Sequence, residues 1–347
     1  MTIETLPAHD DLDDVPPPSA TLRLRGRSVE WGELDDAFRS GRMHHAWLLQ
    51  GPRGIGKAST AFAFARGVLG AAQVAETGDP AFDEADPTVR QIAQGSHPNL
   101  LHLDRPPVDR GEGFRTQITV DEIRRLNQFF RATAGGGWRV AIVDPADDLN
   151  RSAANALLKT LEEPPERSIF LIVNHAPGRL LPTIRSRCRV LRFTPLADQV
   201  VGEGIVDLLP ATAPDEIHAA VALAHGSLRD ALLMLTSGGL EVETQAARLF
   251  DQATPDWTAI QSVADALMQK GREAAWLLLC EALMNRLATE AARRLQAGDR
   301  AAADAMAGLW QSEQARWREA AAFNLDRKQT LLTFFARLGE TRSRLGT

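Results

Sequence analysis

Between residues 21 and 195, short apolar runs alternate with stretches whose apolar positions recur every three to four residues. "HAWLLQG" (45–51) predicts a buried strand, and "GKASTAFAFARGVLG" (56–70) predicts the helix after it. "NLLHLD" (99–104) gives a second strand. "TVDEIRRLNQFFRAT" (119–133) gives an amphipathic helix with Ile123, Leu126, Phe129 and Phe130 on one face. "WRVAIVD" (138–144) and "SIFLIVN" (168–174) are the third and fourth strands. Between them, "RSAANALLKTLEE" (151–163) predicts a helix that starts near Asn150 and stops at Pro164-Pro165. "RVLRFTPL" (189–196) is the last strand. Strands alternating with helices imply an α/β domain with a mostly parallel sheet covered on both faces. Residues 70–117 are turn- and charge-rich and predict surface loops flanking one strand.

Strand patterns end near residue 196. Short helical segments run from 197 to 237, broken by "LLPATAPDE" and "TSGGLE". From about 243 to 345 the chain is rich in Ala, Leu and Arg and holds one proline, Pro255. That texture predicts a helical bundle, with Trp276, Trp310 and Trp317 as core or helix-interface residues.

Composition narrows the class. A length of 347 residues suggests two or three domains. The net charge of −6 argues against a protein that coats nucleic acid with a generally basic surface. Cys188 and Cys280 are far apart and neither belongs to a C-x-x-C pair, which predicts no disulfide framework and no zinc. His44, His45, His97 and His102 have no carboxylate or cysteine at a metal-ligand spacing; His44-His45 read as loop or interface residues. No apolar run approaches the roughly 20 residues that span a bilayer. The acidic, proline-ended segment 1–20 lacks the pattern of a secretory leader and reads as a disordered tail on a cytoplasmic protein without a membrane partner.

The chemistry lies in "LLQGPRGIGKAS" (48–59). Gly51, Gly54, Gly56 and Lys57 have phosphate-loop spacing, between a strand and a helix. The glycines let the backbone turn its N–H groups toward phosphate oxygens; the helix start and Lys57 add positive charge. Position 58, where a hydroxyl would ligate Mg²⁺, is Ala58. Ser59 is rotated by about 100° around the helix and is no obvious substitute. The loop therefore suits ATP or ADP with a weak hold on Mg²⁺. Asp144 at the end of the third strand can hold the metal. The second carboxylate that would activate water is replaced by Pro145. Asp147 and Asp148 are nearby, in an expected loop or helix cap.

These features resemble the clamp-loader branch of the AAA+ ATPases. "NRSAANALLKTLEEPPERSIFLIVNHAPGRLLPTIRSRC" carries the resemblance, with "LLKTLEEPP" and Ser186-Arg187-Cys188 as its most specific parts. "GSLRDAL" (226–232) is similar to that family's sensor 2 segment, and "GSHPNLLHL" and "ITVDEIRRL" are similar to bacterial members. The resemblance covers roughly residues 24–235 and implies an AAA+ domain over 21–195, a helical lid over 196–240 and an oligomerising collar over 241–347. It also implies tau/gamma and delta subunits as partners, with the sliding clamp and primer–template DNA engaged through the complex. Gly-Lys-Ala, Asp-Pro and the missing cysteine module all depart from the ATP-hydrolysing subunit type, as does the absence of that type's long extension.

Within this resemblance Arg187 would be an arginine finger aimed at a neighbour's ATP. The bland reading places Arg185, Arg187, Arg189 and Arg192 on a solvated basic edge. Asn174 matches sensor 1, or is a strand-end turn residue. Arg229 matches sensor 2, or is a surface arginine of the lid. Glu162 and Glu163 belong to a family motif without an assigned role, and Cys188 reads as buried and inert. Two alternatives stay open: a self-sufficient ATPase with another acid replacing Pro145, and an AAA+ adaptor outside replication.

Overall fold

The structure, a computed structural model, describes residues 5, 7–74, 78–108, 111, 113–131, 137–269, 271–323 and 325–345. The last two residues of the helix read at 119–133, and residues 1–4 and 6 of the tail, lie outside this set. The chain forms two compact units, Met1–Ala231 and Leu232–Thr347.

In the first unit the order is α1 (Ser28–Arg39), β1 (Ala46–Gln50), α2 (Lys57–Val68), α3 (Pro87–Ala93), β2 (Leu100–Leu103), α4 (Val120–Arg131), β3 (Arg139–Val143), α5 (Arg151–Glu162), β4 (Ser168–Asn174), α6 (Pro182–Arg185), β5 (Arg189–Arg192), α7 (Asp198–Leu208), α8 (Pro214–Ala224) and the first residues of α9 (Leu228–Thr236). The five strands are parallel and lie in the order β2-β3-β4-β1-β5. All five predicted strands are present.

Alternation along β1 builds the layers. Trp47 and Leu49 face a core that includes Trp31 of α1, Phe64 of α2 and Val89 of α3. Ala46 and Leu48 face the opposite core, with Ile123 and Leu126 of α4 and Leu157 of α5. The sheet is thus covered on both faces, as its unbroken apolar strands require. Caps fix the helix starts. Asn150 accepts from the N–H of Ala153 at 2.8 Å at the head of α5, and Glu122 reaches back to the Thr119 N–H at 3.0 Å beside α4.

One segment departs from the sequence reading. The loop region 70–117 contains α3, capped by Asp86, which accepts from Thr88 N–H at 2.7 Å and leads into Pro87. Seven residues offer too little periodicity to reveal a helix, yet Val89 and Ile92 are fully buried. Residues 7–20 of the acidic segment are among those described. The Ser19 and Thr21 carbonyls accept from the buried Arg66 guanidinium, the latter at 2.5 Å.

The second unit contains α10 (Gly239–Phe250), α11 (Trp257–Leu267), α12 (Glu273–Gln296), α13 (Arg300–Ala322) and α14 (Arg327–Leu345). Val242, Leu249, Ile260, Leu279, Leu283, Met306, Leu331 and Phe334 close one core, with Trp276 buried in it and Trp310 and Trp317 at its margin. The division between units falls inside α9.

Candidate phosphate site and arginine edge

The chain leaves the interior strand β1, which lies between β4 and β5, at Gln50 and enters the loop that ends on α2. This is the crevice at the carboxyl ends of parallel strands where ligands bind in open α/β sheets. Gly54 and Gly56 hold φ of +77° and +92°, left-handed values that glycine adopts without strain. A Cβ on Gly51 would come within 2.5 Å of the Phe193 carbonyl oxygen. The glycines thus permit both the curl of the loop and its close seating against β5.

Lys57 opens α2 and is buried. Its Nζ donates to the carbonyl of Gly51 at 2.8 Å and to that of Pro52. Burial pulls its pKa down to about 8, against the opposing pull of Asp144 and Asp147. Ala58 follows it. The next buried hydroxyl, Thr60, bonds back to the Gly56 carbonyl at 2.8 Å within the helix and offers nothing to a metal.

Asp144 ends the next strand but one, and burial pushes its carboxyl up to about 7, with Asp10 adding and Lys57 opposing. Pro145 follows it. Neither nearby aspartate is available as a replacement acid. Asp147 accepts from the N–H groups of His175 at 2.6 Å and Ala176 at 2.8 Å, and from Asn174 Nδ2 at 3.1 Å. Asp148 pairs with Arg105 at 2.6 Å. Asn174 is fully buried, and both its amide hydrogens are committed, one to Asp147 and one to the Ala176 carbonyl at 3.2 Å; its Oδ1 accepts from Gln50 at 3.0 Å. Asn174 therefore ties β1 to β4 and has no donor left for phosphate in this arrangement.

The head of α9 closes over the loop. Arg229 N–H donates to the Gly54 carbonyl at 3.2 Å. A Cβ on Gly54 would lie 2.1 Å from Ser227 Oγ. Three residues here escaped the sequence reading. Arg27, buried, bridges the Ile55 carbonyl at 2.8 Å, the Thr194 carbonyl at 2.8 Å and Glu30 at 2.9 Å. Arg53 and Asp10 are the others: Asp10 meets Arg53 at 3.2 Å and Arg229 at 3.7 Å, and its own carbonyl accepts from Arg229 at 2.5 Å. A conspicuous arginine inside the glycine loop was the one available signal.

Gly51, Gly54, Gly56, Lys57, Ala58, Asp144, Asn174 and Arg229 thus converge at one end of the sheet. Arg187 does not. It precedes β5, at the amino ends of the strands, so the four residues of β5, about 13 Å, separate its backbone from the level of the phosphate loop. Its guanidinium pairs with Glu162 at 2.5 Å and donates to the Thr183 carbonyl at 3.0 Å. The two family motifs, "LLKTLEEPP" and Ser186-Arg187-Cys188, therefore meet at this pair. His44 and His45 share that sheet end, stacked at 4.4 Å, with His45 against the Leu161 carbonyl at 3.1 Å. Arg189 pairs with Glu33 at 2.8 Å and lies over Trp47, while Arg185 and Arg192 are exposed. Burial pushes the Cys188 thiol up to about 12, which keeps it an inert thiol.

The residues fit a nucleotide's phosphates: glycine N–H groups, a helix start, Lys57 and two arginines converge there. They offer Mg²⁺ less than a complete site would, since position 58 has no hydroxyl. Among the described residues, no group of three or more His, Cys, Asp or Glu side chains is placed to hold a metal ion. No described helix is long and apolar enough to cross a membrane.

A phosphate loop after an interior strand of this parallel sheet, with an acidic end on the next strand but one and helices after it, defines an AAA+ P-loop domain followed by a helical region. Residues 27–197 match the family described as DNA polymerase III, delta subunit. The chain is 37% identical over 185 residues to DNA polymerase III subunit delta' of Pseudomonas aeruginosa, covering 53% of each protein. It is 32% identical over 266 residues to subunit tau of Escherichia coli K12, covering 74% of this chain and 39% of that one. The chain thus spans about half or less of the length of these curated relatives. Among solved structures it is similar to a DNA polymerase III gamma subunit-related protein from Thermotoga maritima, at 18% identity and a TM-score of 0.43 over 89% of this chain and 99% of that one. Over residues 27–197 the chain is thus similar to DNA polymerase III clamp-loader subunits.

Proposed function

We propose that this chain is the delta prime type of clamp-loader subunit. It binds nucleotide phosphate weakly or inertly, does not turn over ATP by itself, and lends Arg187 to the ATP site of a neighbouring tau/gamma subunit. The observation that carries the reading is the separation of its two functional ends. One end has a phosphate loop without a metal hydroxyl or an available second acid. The other presents Arg187 on a half-exposed pair with Glu162, out of reach of its own loop. A guanidinium delivered across a subunit boundary neutralises charge on the transferred phosphoryl group, an effect worth about 10³–10⁵ in rate.

In this reading residues 21–195 are the AAA+ domain, 196–240 the lid and 241–347 the collar through which subunits assemble. Tau/gamma and delta subunits are the partners, the sliding clamp and primed DNA are reached through the complex, and the setting is the bacterial cytoplasm. The occupied Asp147 and Asp148 disfavour the self-sufficient ATPase. A turnover assay tests the reading directly. The purified chain with Mg²⁺ and ATP should release no phosphate above background, while ATP binding without Mg²⁺ is as strong as with it. Multiple turnovers by the chain alone would refute it.

A further inference from the structure

The segment 7–21 is attached in two unequal ways. At its base, Ser19 and Thr21 are pinned by the buried Arg66, whose guanidinium also lies over Phe82. At its tip, the His9 ring touches Phe114 edge-on at 6.4 Å, and Asp10 meets Arg53 and Arg229. The Ala8 N–H donates to Asp11 at 2.8 Å, so the tip is a folded turn rather than an extended strand. Between base and tip lies Pro16-Pro17-Pro18, a stiff spacer that fixes where the tip can land.

The tip lands on positive charge that a phosphate loop needs. Arg53 lies inside the loop, and Arg229 is bonded to it through the Gly54 carbonyl. The Asp10 carboxylate and carbonyl oxygens occupy these guanidinium groups, so an anion that engages the same donors must displace them. His9, Arg229 and Arg53 outweigh burial and hold the Asp10 carboxyl below its ordinary pKa, so it is charged where it sits. An anion tethered by so short a chain acts at an effective concentration on the order of millimolar. It competes with free nucleotide without leaving the molecule.

We infer that the His9–Asp11 turn is a built-in competitor of nucleotide, an internal anion that covers Arg53 and Arg229 and is displaced when a nucleoside di- or triphosphate binds. The inference rests on the reading of the loop as a nucleotide phosphate site. It adds that the apparent affinity of the complete chain is set by the fraction of molecules whose tip is released.

The test is equilibrium binding of a fluorescent ATP analogue to the full chain and to its Asp10→Asn and Lys57→Ala variants. If the tip is released in about a tenth of molecules, Asp10→Asn should bind roughly tenfold tighter than the parent chain. Lys57→Ala should weaken binding in either background. As a second readout, ATP should speed cleavage of the parent chain at Asp10 and Asp11 by an aspartate-specific protease. Equal affinity of the parent chain and Asp10→Asn, with Lys57→Ala still weak, would overturn the inference and leave the phosphate loop reading standing. No binding by any variant, including one lacking residues 1–14, would overturn both. Cleavage that ATP leaves unchanged would also overturn the inference.

Discussion

Replacing Asp147 with Ala separates a structural role from a catalytic one. The Asp147 carboxylate accepts from two backbone N–H groups, those of His175 and Ala176, and from Asn174 Nδ2. Leaving a buried donor unpaired costs about 1–3 kcal/mol, and water reaches this half-buried site to replace part of the loss. A total of about 3 kcal/mol follows for the two N–H groups, with the freed Asn174 amide adding local disorder where β1 meets β4. In a unit of this size that should lower Tm by roughly 6–12 °C. The first unit holds Trp31, Trp47 and Trp138, so thermal unfolding followed by fluorescence, with calorimetry to resolve the two units, reads the change. ATP binding at a temperature where the variant is folded should stay within about twofold. An unshifted Tm together with altered nucleotide binding would refute the reasoning and make Asp147 part of the nucleotide chemistry.

Three further outcomes follow from other parts of the molecule. Glu313 is fully buried and accepts from Arg316 and Arg337, each at 2.5 Å; in Glu313→Ala both arginines are part-exposed and keep the Thr330 carbonyl and Ser312 Oγ as partners, so the helical unit should lose about 1–3 kcal/mol in calorimetry. Gly54→Ala adds a Cβ against Ser227 and Arg229 at a left-handed φ; it should weaken the seating of α9 on the loop and raise the Kd for ATP at least fivefold, on the order of 1 kcal/mol, measured with the same analogue. His102 packs edge-on against Phe62 with Nε2 sealed and unpartnered, and burial pulls its pKa from 6.5 to about 4. The folded state then binds fewer protons than the unfolded one between these values, so stability is full above about pH 6.5 and is lost as pH falls toward 4. Denaturant titrations over that window should show a shallower loss for His102→Leu.

Much of the fold was legible because it rests on local patterns. Short apolar runs such as "AWLLQ" and "RVAIV", too short for helices and bounded by turn residues, read as strands buried on both faces, and Asn150 and Pro164-Pro165 bracket α5 by their own chemistry. The glycine–lysine loop was legible for the same reason, since its conformation depends on its own residues. What the sequence hid depends on distant neighbours. Arg27 looks like any surface arginine until Ile55, Thr194 and Glu30 surround it. Asp147 looks like a spare catalytic acid until the end of β4 binds it. Asn174, matched to a phosphate sensor, proves to have both donors engaged. The pairing of Arg187 with Glu162 links motifs whose partners are 25 positions apart (187 − 162), and Asp10 reaches Arg229 across most of the first unit's sequence. Neither pair follows from periodicity or spacing.

The central claim is that Arg187 acts on a neighbour's ATP. Its most direct measurement is the clamp- and DNA-stimulated ATPase of a loader reconstituted with Arg187→Ala, beside Arg185→Ala as the control on the same exposed edge. Arg187→Ala should assemble into the same complex by size-exclusion chromatography. It should lower kcat at least tenfold, about 1.4 kcal/mol of barrier, while Arg185→Ala stays near the parent rate. An intact complex whose ATPase is unchanged by Arg187→Ala would contradict the claim.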